Sequence, residues 1–222
     1  MLYLVFNEGY LASSGPELVR DDLAEEAIRL AGILVELMPD EPEALGLLAL
    51  MLLTESRRAA RVGAHGQLIS LGQQDRTRWD PDRIAAGQAL VRACLRRNRP
   101  GPYQLQAAIA AVHSDANSAE ATDWGQIVSL YDQLALIAPS PIVSMNRAIA
   151  LAERDGPASG LAVLDGLPLD GHHRYHAVRA ELLARLGRVG DALVEMDRAL
   201  ELVVNEPERA HLATRRGELA DQ

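Results

Sequence analysis

Along nearly the whole chain, apolar residues recur at helical spacing, and prolines or glycines cut that pattern into pieces one helix long. Residues 20–38 show it plainly, with Leu23, Ala27, Ile28, Leu30, Ala31, Leu34 and Val35. Pro39-Asp40-Glu41-Pro42 then stops one helix and starts the next, because proline fits a first helical turn and breaks a later one. The same punctuation predicts helices over residues 43–62, 103–117, 123–137, 142–154, 158–167, 175–186, 191–203 and 206–219. Asp80 is a good N-cap with Pro81 at the first position, which predicts another helix over 81–98. Ser13-Ser14-Gly15-Pro16 reads as a loop. Between residues 63 and 74 the helical pattern fails, and Leu68-Ile69-Ser70-Leu71 reads as an extended linker or a short strand. The expected fold is therefore all-α, built of tandem antiparallel helix hairpins.

Composition agrees. Ala and Leu dominate the apolar 48% of the chain and lead the helix-propensity ranking, while aromatics make up only 4%. A formal net charge of −9 repels phosphate backbones, so direct nucleic-acid binding by this segment is not expected. The longest apolar run, residues 44–53, is about half the ~20 residues a membrane span needs and reads as a buried helix. Cys94 stands alone, which leaves no disulfide framework and fits a reducing, cytoplasmic setting. The opening stretch, Leu2 to Phe6, has no basic region ahead of it and breaks at Asn7, unlike a signal peptide. A helix that begins at full hydrophobicity with no cap reads as the continuation of a longer one.

The second half repeats itself. Laid over itself at an offset of 32 residues, it pairs Arg147 with Arg179, Ala148 with Ala180, Leu151 with Leu183, Ala152 with Ala184, Leu161 with Leu193 and Asp165 with Asp197. That period is close to the roughly 34 residues of a tetratricopeptide repeat. Ala180, Ala192 and Ala199 are small where the two helices of such a hairpin approach, and Pro139 stands where an earlier unit would stop. Val204 occupies the place of the usual terminal proline. The expected architecture is a tetratricopeptide-like superhelix over residues 101–222. Ahead of it stands an N-terminal helical subdomain, residues 1–100, with an ordered polar linker near 63–80.

Chemistry is thin. His172 and His176 are four apart, as helical zinc ligands can be, but no third ligand or neighbouring glutamate accompanies them. No metal and no cofactor is expected. No serine has a nucleophile-elbow context, and no glycine-rich loop opens a helix, so the chain reads as a binding or regulatory protein and not as an enzyme. Three segments nonetheless carry polar and aromatic residues that no amphipathic surface explains. They are Asn7-Glu8-Gly9-Tyr10, residues 75–80 (Asp75, Arg76, Arg78, Trp79 and Asp80), and Tyr103-Gln104-Leu105-Gln106 leading to His113. Buried polar groups of this kind must find partners, either as a structural network or as a pocket for a small ligand or peptide. If hairpins stack into a curve, these residues are expected to converge on its concave face, with Arg57 or Arg58 at the edge.

Four stretches resemble a known family. They are Leu2-Tyr3-Leu4-Val5-Phe6-Asn7-Glu8-Gly9-Tyr10; residues 37–49, Leu-Met-Pro-Asp-Glu-Pro-Glu-Ala-Leu-Gly-Leu-Leu-Ala; Asp75-Arg76-Thr77-Arg78-Trp79-Asp80; and residues 101–111, Gly-Pro-Tyr-Gln-Leu-Gln-Ala-Ala-Ile-Ala-Ala. Together they resemble the C-terminal extension of bacterial extracytoplasmic-function sigma factors that carry tetratricopeptide-like repeats. The resemblance implies a part that lacks the promoter- and polymerase-binding sigma domains. It also implies a role in modulating transcription initiation through contacts with sigma domains of the same polypeptide or with RNA polymerase.

Overall fold

A computed structural model describes residues 1–10, 21–63 and 67–221. The expected loop at Ser13-Ser14-Gly15-Pro16 lies outside the described residues. Among the described residues the fold is all helical, apart from one isolated antiparallel bridge between Val62 and Leu68. The chain divides into two compact units, Met1–Asp123 and Trp124–Gln222.

The first unit contains α1 (Leu2–Tyr10), α2 (Asp21–Leu37), α3 (Pro42–Glu55), the short α4 (Arg58–Arg61), α5 (Pro81–Arg97) and α6 (Pro102–Asp115). Helix α3 is its centre. It is apolar all round, buries Ala44, Leu45, Leu47, Ala49, Leu50, Met51 and Leu53, and packs against α2, α5 and α6. Small residues set the distances. A Cβ on Gly46 would lie 2.7 Å from the backbone nitrogen of Gln104, so only glycine lets α3 and α6 meet there. Ala107, Ala110 and Ala111 extend the same seam along α6. Likewise, a Cβ on Gly9 would lie 2.5 Å from the backbone nitrogen of Ala24, which explains why α1 needs glycine against α2.

Two expectations change in this unit. The helix expected over 43–62 ends at Glu55. The amide of Asp80 donates to the carbonyl of Ser56 at 2.8 Å, taking the acceptor that the amide of Ala60 would use in a continuing helix. The amide of Ala60 donates to the carbonyl of Arg57 instead, at 3.1 Å. The second change is the boundary, which falls after Asp123 where residue 100 was expected, because α6 is packed on α3.

The second unit contains α7 (Trp124–Ile137), α8 (Pro141–Asp155), α9 (Pro157–Leu164), α10 (His173–Arg185), α11 (Val189–Leu202) and α12 (Glu206–Ala220). Each helix packs on the next in sequence. Proline opens α8, α9 and α12, and Ser140 and Asn205 accept backbone N–H groups as N-caps. Residues 32 apart occupy like places: Ala148 and Ala180 are fully buried, and Gly160 meets Ala148 where Ala192 sits in the next hairpin. Ala180, Ala192 and Ala199 all lie in one core with Met145, Leu164 and Met196.

Because Ala192 is completely buried between α10 and α11, Ala192→Leu should destabilise the protein by about 1–3 kcal/mol through overpacking. Thermal or urea unfolding of the two proteins measures the difference, and equal stability would show that the hairpin contact is looser than described.

Candidate functional site

All fourteen residues expected at a binding face lie in the first unit, and the structure sorts them by the backbone groups they serve. At the start of α6 the amides of Tyr103 and Gln104 donate to the carboxylate of Glu43, at 3.0 and 3.2 Å. The Gln104 side chain donates to the same carboxylate at 3.0 Å and to the carbonyl of Arg99 at 2.8 Å. Gly101 precedes α6 and brings no capping side chain, so Glu43 caps the helix from α3. Tyr103 then meets the ring of Tyr3 edge-on, with centroids 5.4 Å apart. Asn7 hydrogen-bonds Tyr3, whose hydroxyl is pushed above its usual pKa by burial.

The other end of α6 is closed by Arg76. Its guanidinium donates to the carbonyls of His113 and Ala116 at 2.5 and 2.7 Å and to the Thr122 hydroxyl at 3.4 Å. A cation on these terminal carbonyls complements the helix dipole. Asp75 accepts from the amide and hydroxyl of Thr77 and so folds a short 3₁₀ turn, Arg76–Arg78, that aims Arg76 inward. Trp79, 5% exposed, lies beneath two guanidiniums: the Arg76 carbon is 4.8 Å and the Arg57 carbon 6.0 Å from its ring centre. His113 is held well below its ordinary pKa, at about 4, by burial first and then by repulsion from Arg57 and Arg76.

The single convergence expected from the sequence is therefore divided. Arg57, Arg76, Trp79 and His113 come together, whereas Asn7, Tyr103 and Gln104 gather at the opposite end of α6. Nine residues of helix separate Gln104 from His113, roughly 14 Å along the axis. Tyr10 stacks on Phe6 and carries the Arg61 guanidinium 3.8 Å above its ring. Arg58 pairs with Glu55, whose carboxyl is raised by burial and partly restored by Arg58 and Arg83. Asp80 caps α5 through the amides of Asp82 and Arg83. Gln106 bonds back to the carbonyl of Pro102, Arg78 is exposed, and Glu8 is half-buried on α1.

Sequence reasoning missed Glu43, Glu55 and Arg61. Glu43 looks like an ordinary first-turn acid of its own helix, and nothing local reveals that it serves a helix 60 residues away. In the second unit, His176 does not form a ligand pair with His172. Its ring nitrogens face the Glu195 carboxylate at 2.7 Å and the Asp170 carbonyl at 2.8 Å. Among the described residues no three His, Cys, Asp or Glu side chains are placed to hold a metal ion, and no helix is long and apolar enough to cross a membrane.

Residues 1–95 match a family of unknown function, DUF6596. An uncharacterised protein of Rhizobium meliloti (strain 1021) is 46% identical over 222 residues, covering 99% of this chain and 52% of that protein. The chain thus spans about half the length of the curated relative it matches. No solved structure matches.

The depressed pKa of His113 carries a definite pH signature. Unfolding returns it to about 6.5 from about 4, so the unfolded chain takes up the proton first. Its contribution to stability is complete above pH 6.5 and is lost as pH falls toward 4. Comparing melting temperatures of the wild type and His113→Gln across that range isolates the effect. The gap between them should change steadily with pH, and a constant gap would contradict the burial described.

Proposed function

We propose that this chain is the regulatory helical extension of an extracytoplasmic-function sigma factor, modulating transcription initiation through contacts with sigma domains of the same polypeptide or with RNA polymerase. The observation that carries this reading is that the four stretches bearing the family resemblance lock onto one helix. Tyr3 from the first touches Tyr103; Glu43 and Gly46 from the second cap and admit α6; Arg76 from the third closes its far end; and the fourth opens α6 itself. Motifs that serve one another in this way mark a folded module shared as a unit. They are not scattered surface features.

The second unit supports a tetratricopeptide-like reading. Ion pairs join alternate helices at a nearly constant sequence interval: Glu153 with Arg185, Arg174 with Glu208, and Glu181 with Arg215, separated by 32 or 34 residues. Stacked hairpins of this type expose extended helical faces suited to protein partners. The acidic balance suits a protein-binding role, with promoter contact left to other domains. The Rhizobium relative is about twice as long as its matched part, which leaves room for such domains. On this reading the chain works in the cytoplasm and performs no catalysis of its own.

The test is reconstituted promoter-specific transcription with the full-length factor and with a version lacking these residues. The proposal expects a clear change in initiation rate when the extension is removed. Equal rates from both proteins would overturn it.

A further inference from the structure

The cluster around Trp79 is built almost entirely of hydrogen-bond donors. The indole N–H of Trp79 is buried and has no acceptor, and the side-chain Nε–H of Arg57 is buried and has none either. Among the described residues no carboxylate lies within ion-pair distance of Arg57. Arg76 adds a second guanidinium over the same ring, with both terminal nitrogens engaged by α6 and Thr122. Among the described residues the exposed Glu120 is the carboxylate that acts on Arg76, while Arg57 repels it. Two half-buried cations thus share one ring in a chain whose net charge is −9. Unpaired buried donors are costly, and native structures retain them where something else completes the set.

We propose that Arg57 and the Trp79 indole form a binding site for a small oxyanion, a carboxylate or a phosphate, with Arg76 as a fixed cationic wall. The chemistry follows from the donor set. A guanidinium offers its Nε–H and one terminal N–H as parallel donors, the arrangement that takes two oxygens of one carboxylate or phosphate side-on. The Nε–H of Arg57 has no acceptor, so that edge of its guanidinium is unsatisfied. Arg57 is half-buried, so part of its side chain is open to solvent while the ring beneath it is not. His113 stays neutral beside the two arginines, which keeps a third positive charge out of the cluster. The site is independent of the sigma-factor reading, because it concerns what this chain binds and not what it regulates.

The experiment uses the full chain, labelled with ¹⁵N in its two tryptophans, Trp79 and Trp124, whose indole N–H signals are told apart by Trp124→Phe. Inorganic phosphate and sodium succinate are titrated separately at constant ionic strength, with chloride as the control. The Trp79 signal should move saturably with at least one of the two, and the Trp124 signal should not. Tighter response to phosphate identifies a phosphate-type ligand, and tighter response to succinate identifies a carboxylate. Arg57→Ala should abolish the response. Arg57→Lys keeps the charge but loses the planar edge, and should weaken binding roughly tenfold. If circular dichroism shows that the alanine variant is unfolded, the lysine variant decides. No saturable shift with either probe, or an undiminished shift in the Arg57 variants, overturns the proposal.

Discussion

A single carboxylate seats α6 in the first unit. Helix α6 begins with a glycine and a proline, so its leading amides have no capping side chain of their own. Glu43 supplies the acceptor from 60 residues earlier in the chain, and in doing so fixes where α6 lies on α3. Charge-assisted bonds of this kind are worth about 1.5–3 kcal/mol, more than a neutral cap. The contacts that α6 makes along its length depend on that placement. Gly46 and the alanines of α6 pack only if the two helices are already this close, and Tyr3 finds Tyr103 only once α6 is seated. Arg76 then closes the far end, and the residues around it acquire the burial that holds His113 neutral.

The second unit is held differently. No one interaction dominates it. Small residues at repeated positions let consecutive helices approach, and ion pairs between alternate helices recur at similar intervals. Most of those charges are partly exposed, so each pair contributes little, and the apolar contacts carry the stability. Tyr175 is buried, and its hydroxyl donates to the carbonyl of Leu164 and ties α10 to the end of α9.

Helix positions were legible because their signals are local. Asp80 and Pro81 opened α5 as expected, and Asn98 closes it in the left-handed conformation. Prolines marked the starts of α3, α8 and α12 in the same way. What could not be read was contact between distant segments. Ser56 gives no sign that the amide of Asp80 will take its carbonyl and end α3. Glu43 resembles any acid in a first turn, and the unit boundary depends on α6 packing backwards onto α3. The expected polar cluster is divided in two for the same reason. Its residue types were conspicuous, but whether two of them share a site depends on helix geometry, and Gln104 and His113 lie at opposite ends of α6.

The claim that Glu43 seats α6 is tested most directly by amide hydrogen exchange in the wild type and in Glu43→Ala. The Tyr103 and Gln104 amides should be strongly protected in the wild type. In the variant that protection should be lost at both positions, with faster exchange spreading into α6 while α8 to α12 exchange as before. Unchanged protection of Tyr103 and Gln104 in Glu43→Ala would contradict it.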